Sequence, residues 1–417
     1  MRILMLTDRF PPEARASGHL FHELGVGLVR RGHEVGVVTR MPGDYVPDGA
    51  SGAGPAPALA RERLDGIDVH RVRGLSALRR APLMRAVDQF GVGLAFALRA
   101  REWPAADVAL VYSPPLPLAL AGVLNQRWRG VPWVLNLHDL YPQTAIDLGL
   151  LRNRFAIRLA EGMEGLAYRQ AARIVVPAPR SREILVTRKG VEASKVEMVP
   201  NWVDVDGVLP GPRENDFRAA HGLGGRFIVS YAGVMGFAQD LAPLIAAARS
   251  LREREDIVFL LVGDGVHLGR WRRLAEGLGN VRFLPVQPKA RYFDLLRASD
   301  VCVVPLALEL ESPAIPGKIQ SIMAVARPVL AIVNPRSDAA GLIALSGCGL
   351  TVAPGDPDAV AAAILRLRGA PELGAALGAS GRRYAAEHFS LDKAVAAYEL
   401  VLVQAASYGR RAAGSAA

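Results

Sequence analysis

A short apolar run, Val301 to Leu306, passes through a polar loop into a helix expected to begin near Pro316. That helix stops before Arg327-Pro328, and a second apolar run, Val329 to Val333, follows at once. Strand, helix, strand at this spacing is a βαβ unit, which needs a parallel sheet with helices on its faces. Pro suits a first helical position because its missing N–H would be unpaired there anyway. Gly317 and Lys318 follow. Free backbone N–H groups, the positive end of a helix dipole and an ammonium would then meet at one spot, suited to a phosphate or diphosphate. The same capping pattern also opens βαβ helices that bind nothing, with the lysine a solvated charge.

The pattern recurs along the chain. Arg2–Leu6, Val35–Thr39, Ile67–Val72, Val108–Tyr112, Trp133–Leu137 and Arg173–Pro177 read as strands of a first half, with helices such as His19–Arg31 and Asn153–Gln170 between them. Phe227–Ala232, Val258–Val262, Val281–Leu284, Val301–Leu306, Val329–Val333 and Gly349–Val352 restart it. The fold class is therefore α/β, with two Rossmann-like domains, and 417 residues are too many for one ordinary core. The domains are placed at 1–205 and 206–388, with the polar, Gly/Pro-rich segment 204–225 read as the linker. A helix from 389 to 408 follows, and the tail 409–417 is expected to be disordered.

Each half offers candidates at the carboxyl ends of its strands, where open α/β sheets bind ligands. In the first, the loop Thr7–Gly18 ends in Ser17-Gly18 at a helix start, and Trp133–Leu137 delivers His138. His33 sits in a helix-to-strand turn and reads as structural. In the second, Gly233 and Gly236 would let backbone approach a ligand closely, and a further Gly263-Asp264-Gly265 follows a strand. Residues 42–60 read as a surface loop rich in Pro, Gly and Ala. The segment 75–86 mixes Arg79, Arg80 and Arg85 with Leu75, Leu78, Leu83 and Met84, a pattern that suits an anionic membrane surface. Residues 87–100 read as a helix packed on the sheet.

Lys and Arg number 50 against 40 Asp and Glu, a formal charge of +10 that favours anionic partners such as nucleotides and phospholipid head groups. Cys302 and Cys348 lie in apolar surroundings with no metal-ligand spacing, as expected of buried thiols in a reducing compartment. No run is long enough to span a bilayer, and the N-terminal apolar run is too short for a signal peptide. The chain carries no Walker-type loop, and no G-x-G-x-x-G follows its first strand, which counts against an ordinary dehydrogenase.

Several motifs in order give the chain a family resemblance. They are Phe10-Pro11-Pro12-Glu13 with Arg31-Gly32-His33-Glu34-Val35, then Leu137-His138-Asp139-Leu140-Tyr141-Pro142, then Val199-Pro200-Asn201-Trp202-Val203-Asp204. Tyr231 to Gly236 with Gln239, Val262 to Gly265, and Pro316-Gly317-Lys318-Ile319 with Met323 to Val329 complete the set. The chain resembles, over almost its whole length, the GT-B-fold retaining glycosyltransferases of bacterial polysaccharide and lipopolysaccharide synthesis. The nearest subgroup is the colanic-acid or O-antigen type, including the fucosamine transferases. The resemblance implies a nucleotide-sugar donor, UDP-linked, and a polyprenyl-diphosphate-linked saccharide acceptor. It also implies no metal or other cofactor, no nucleic acid partner, and a cytoplasmic location peripheral to the inner face of the membrane.

By the same resemblance His138 contacts the donor sugar, and Lys318, with the amides of Gly317 and Lys318, neutralises the diphosphate leaving group. Ser17 and Gly18 lie near the donor phosphates and acceptor, Gly233 to Gly236 line the diphosphate, and Leu284 meets the base through its backbone. Gln239, Asp264, Glu311, Pro316 and Ser321 complete the donor side, and Arg79, Arg80 and Arg85 face the membrane and acceptor. The chain departs from the family pattern at three positions. Two glutamates with seven residues between them are replaced by Pro313 and Ser321, so Glu309 or Glu311 would have to substitute for the first. Phe237 stands where a basic residue follows the glycine loop. These departures keep open a non-catalytic scaffold of the same fold; a nucleotide-sugar epimerase would need the missing acids.

Overall fold

The computed structural model describes residues 1–13, 16–42, 59–73, 82–308, 313 and 315–414. The chain divides into two units: Met1–Asn201 with Leu391–Ala417, and Trp202–Ser390.

The first unit is built on β1 (Arg2–Leu6), β2 (Glu34–Arg40), β3 (Leu59–Leu64), β4 (Ile67–Val72), β5 (Val108–Ser113), β6 (Trp133–Leu137), β7 (Arg173–Val176) and β8 (Val196–Met198). They form one sheet in the order β3-β4-β2-β1-β5-β6-β7-β8, parallel except for β3. The continuous apolar runs of β1, β5 and β6 are buried throughout or nearly so, as strands covered on both faces must be. Helices α1 (Ala16–Arg30), α2 (Pro82–Ala100), α3 (Leu118–Arg129), α4 (Gln143–Asp147), α5 (Arg154–Gln170) and α6 (Pro179–Thr187) connect them. Asn153 caps α5, accepting from the N–H groups of Phe155 and Ala156.

The second unit holds α7 (Asp216–His221), β9 (Phe227–Ala232), α8 (Ala242–Ser250), β10 (Ile257–Val262), α9 (Leu268–Leu274), β11 (Val281–Leu284), α10 (Lys289–Ala298), β12 (Val301–Pro305), α11 (Lys318–Ala324), β13 (Val329–Ile332), α12 (Asp338–Ser346), β14 (Gly349–Val352), α13 (Pro357–Gly369) and α14 (Pro371–His388). Its sheet is parallel throughout, in the order β11-β10-β9-β12-β13-β14. The last helix, α15 (Leu391–Gly414), belongs to the first unit. It buries Val395, Tyr398, Val401 and Leu402. Val395 packs so close to α1 that a Cβ on Gly27 would overlap it. Tyr398 donates to Asn136 Oδ1 of β6 at 3.1 Å, and Glu399 accepts from Arg31 at 2.8 Å and pairs with His33 at 2.7 Å. His33 is thus a structural residue.

Four expectations need correction. Residues 204–225 are no free linker. Asn215 caps α7, Phe217 is buried, and buried Arg218 binds Asp300 at 2.7 Å and the Ala298 carbonyl at 2.8 Å. Arg382 holds the carbonyls of Val205 and Val208 as well. The loop read over 42–60 ends in a strand, β3, whose Arg61, Glu62 and Arg63 suit a charged edge. Asp65-Gly66, both at positive φ, makes the hairpin turn to β4. Helix α11 starts at Lys318 rather than Pro316, with Gly317 as its cap. The tail expected to be disordered from 409 is helical to Gly414, where Arg410, Arg411, Ala412 and Ala413 are strong helix formers.

Candidate active site

In each sheet the strand order reverses at one point, and that point fixes where loops can surround a ligand. In the first unit it lies between β1 and β5, in the second between β9 and β12.

At the first, α1 begins just after the β1 loop, with Ser17 in its opening turn. Gly18 lies against Phe10: an added Cβ would sit 3.3 Å from Phe10 Cα and N. Tyr112, next to last in β5, is buried. Its hydroxyl faces that of Ser17. Its ring stands edge-on to Phe21 at 5.2 Å between centroids and tilted on His138 at 5.0 Å. His138 follows β6 directly, and its N–H donates to the Ser113 carbonyl at 3.0 Å. Burial pushes its imidazole down to about 4, so the ring is neutral near pH 7 and offers one donor and one acceptor nitrogen. The structure thus brings Ser17, Gly18 and His138 together through Tyr112.

The loop bearing Phe10-Pro11-Pro12-Glu13 is held by charge. Arg9 binds both Glu13 oxygens at 2.7 and 3.0 Å, and Arg40 pairs with Asp8 and, at 2.7 Å, with Asp88 of α2. Arg71 donates to Glu62 and to the Pro11 carbonyl. Arg40, Arg71, Asp88 and Glu13 are all buried. Sequence reading missed Tyr112, Arg40 and Asp88. The position of Tyr112 near the end of a central strand was the available signal.

At the second reversal three glycines let the exits of β9 and β10 lie on each other. Gly233 (φ +151°), Gly263 (φ +143°) and Gly265 (φ +154°) all adopt backbone that side chains disfavour. A Cβ on Gly263 would overlap the Gly233 carbonyl, and one on Gly265 the Met235 carbonyl. The loops are cross-linked: Gly233 N–H to Val262, Met235 N–H to Asp264, and Gly263 N–H to Leu284, whose carbonyl is thereby engaged. Gly236 N–H donates to Gln239 Oε1 at 3.2 Å, and Ala307 N–H to the Ala238 carbonyl at 3.0 Å. Exposed Asp264 accepts from Gly265 N–H.

Lys318, first residue of α11, turns its Nζ into this cradle. It sits 4.2 Å from the centroid of the Tyr231 ring, and a Cβ on Gly233 would lie 2.7 Å from it. Among the described residues no carboxylate pairs with it, and burial pushes the ammonium down to about 7. Ile319 N–H is taken by Pro316, ahead of which stands exposed Gly317. The Ser321 hydroxyl faces Tyr292 and donates to the Gly317 carbonyl at 3.5 Å. Pro313 is buried. Gly233, Gly236, Gln239, Asp264, Leu284 and Lys318 therefore share one strand-end region, with Pro316, Gly317 and Ser321 on its α11 side. Glu309, Glu311, Arg79 and Arg80 lie outside the described residues, and Arg85 is described only as backbone of α2. No group of three His, Cys, Asp or Glu side chains among the described residues could hold a metal.

Residues 17–202 match the family described as "Glycosyl transferase 4-like domain" and residues 225–369 that described as "Glycosyl transferases group 1". Among curated proteins the chain is similar to WbjE of Pseudomonas aeruginosa, a probable glycosyltransferase, 27% identical over 61% of this chain and 64% of that protein. It is similar also to WcaI of Escherichia coli K12, a putative colanic acid biosynthesis glycosyl transferase, 26% identical over 78% of this chain and 81% of that one. Among solved structures HepE of Anabaena in complex with UDP superposes with a TM-score of 0.69 at 16% identity, over 97% of this chain and 100% of HepE. A transferase domain matched on each of two reversing parallel sheets places the chain in one family: it belongs to the GT-B glycosyltransferases.

Proposed function

We propose that the protein is a retaining glycosyltransferase that moves a sugar from a UDP-linked donor to a polyprenyl-diphosphate-linked saccharide during assembly of a cell-surface polysaccharide. The observation that carries this reading is Lys318: a partly buried ammonium, without a carboxylate partner among the described residues, facing a three-glycine cradle. Such a cation is suited to an anion the ligand brings. The names of WbjE and WcaI support the polysaccharide setting, and the UDP bound to HepE supports the donor.

In the reaction the bond between the anomeric carbon and the diphosphate oxygen breaks and one to the acceptor hydroxyl oxygen forms. The hydroxyl proton leaves with the diphosphate. Lys318 and the backbone amides beside it stabilise the charge that grows on the leaving oxygen, often the largest catalytic term. No metal is required for that role. Neutral His138 hydrogen-bonds a sugar hydroxyl rather than acting as an acid. Ser321, facing Tyr292, offers one hydroxyl where the family pattern has a glutamate.

Peripheral binding at the cytoplasmic membrane face is part of this reading. On α5, Phe155 is 78% and Leu159 52% exposed, flanked by exposed Arg154 and Arg158. Leu94 and Leu98 of α2 are about half exposed. Basic and apolar side chains at helical spacing suit an anionic interface. No helix among the described residues is long and apolar enough to cross a membrane.

Calorimetry of UDP with the wild type and Lys318→Ala tests the site. Micromolar binding lost in the variant, with transfer to a lipid-linked acceptor in which the anomeric configuration is kept, is the expected result. A folded protein that binds no nucleotide would favour the non-catalytic scaffold, which the substitutions at Pro313 and Ser321 favour.

A further inference from the structure

We infer that Tyr112 is a positioning residue for the transfer reaction, tying the first turn of α1 and the ring of His138 into one rigid part of the site. This rests on the reading of His138 as the residue that meets the donor sugar.

Tyr112 is held on three sides, twice by α1 and once by the residue after β6. Its hydroxyl faces Ser17 of α1, its ring meets Phe21 one turn further along α1 at 5.2 Å, and it meets His138 beyond β6 at 5.0 Å. Phe21 and Tyr112 are buried, so neither ring can move without opening the core. His138 has its main-chain N–H fixed by Ser113, the residue after Tyr112, so backbone and ring are both referred to the end of β5. Among the described residues no hydrogen bond or ion pair holds the His138 ring, and its packing on Tyr112 is therefore the contact that selects its orientation. Burial beside that ring also accounts for the neutral imidazole. A ligand touching both Ser17 and His138 would meet a spacing set by one phenol ring. A misplacement of about 1 Å at such a contact costs on the order of a hundredfold in rate.

The test compares Tyr112→Phe, Tyr112→Leu, Ser17→Ala and the double variant Ser17→Ala/Tyr112→Phe, read by circular dichroism, by donor KM and kcat, and by the titration of His138 in proton NMR. Tyr112→Phe keeps the ring: the His138 midpoint stays low, and kcat falls severalfold, matched by Ser17→Ala and not multiplied in the double variant. Tyr112→Leu loses the ring: the His138 midpoint moves towards 6.5, kcat falls about a hundredfold, and KM changes little. Equal damage in the Phe and Leu variants would overturn the inference, as would a His138 midpoint and kcat unchanged in a folded Leu variant. If Tyr112→Leu does not fold, multiplicative effects of Ser17→Ala and Tyr112→Phe overturn it instead. The NMR titration needs no substrate, so it still judges Tyr112 if the protein proves inactive as a transferase.

Discussion

Replacing Lys318 by Met should make the protein more stable and unable to bind its donor. In the folded protein burial holds the ammonium at about 7 against an ordinary 10.5, so the unfolded chain takes up the proton more readily. A lysine shifted in this direction destabilises the fold. The penalty is complete below about pH 7, shrinks as pH rises from there to 10.5, and is absent above. That shift corresponds to at most about 5 kcal/mol at pH 6 and about 3 kcal/mol at pH 8.5. Methionine has nearly the same volume, carries no charge and packs on the Tyr231 ring as the stem of Lys318 does. The stability advantage of Lys318→Met should therefore be large at pH 6 and smaller by about 2 kcal/mol at pH 8.5. For a unit of this size each kcal/mol moves the melting midpoint by about 2–4 °C. Paired thermal melts at the two pH values, with UDP calorimetry alongside, would measure both halves. A variant no more stable than the wild type at pH 6, or one whose advantage does not shrink towards pH 8.5, would refute the account of Lys318 as a desolvated cation.

Three further outcomes follow from the same geometry. UDP binding at pH 8 should take up about 0.9 proton as Lys318 regains its charge, visible as a binding enthalpy that changes with the buffer's ionisation enthalpy; no change would show that Lys318 is charged beforehand. Gly263→Ala should cost about 3 kcal/mol or more, because its φ is +143° and a Cβ would overlap the Gly233 carbonyl; urea unfolding with a normal midpoint would disprove the cradle. Asp88→Ala should cost about 3 kcal/mol by leaving buried Arg40 with one carboxylate fewer, and should loosen the Phe10–Glu13 loop in hydrogen exchange.

The strands were legible from their apolar content and the turns that bound them: Arg2–Leu6, Trp133–Leu137 and Phe227–Ala232 are mostly apolar, Ile67–Val72 and Val281–Leu284 mix apolar with polar residues, and all five were read to the residue. β3 was not, since an edge strand of Leu59-Ala60-Arg61-Glu62-Arg63-Leu64 has only its ends apolar, though Asp65-Gly66 marked the turn. α7 was hidden by the polar segment around it, although Asn215 before Asp216-Phe217 is a capping signal. At the site, glycines and Lys318 could be named because their use is written in residue type and place. Tyr112 could not, because its place depends on α1 returning Ser17 and Phe21 to the end of β5, and no spacing in the sequence states that contact.

Helix α15 gives the order of biosynthesis a consequence. The second unit is one continuous segment, 202–390, whereas the first needs residues 391 onward to cover Gly27 of α1 and to donate to Asn136 Oδ1 of β6. On a ribosome adding about 5–20 residues per second, roughly 10 to 40 s separate the synthesis of Asn201 from that of the helix. Through that interval the earlier-made unit waits with an apolar face open while the later-made unit completes itself. The nascent chain is thus a client for holding chaperones at its amino-terminal half, and translation that stops after Ser390 yields a finished second unit attached to a first that exposes its core.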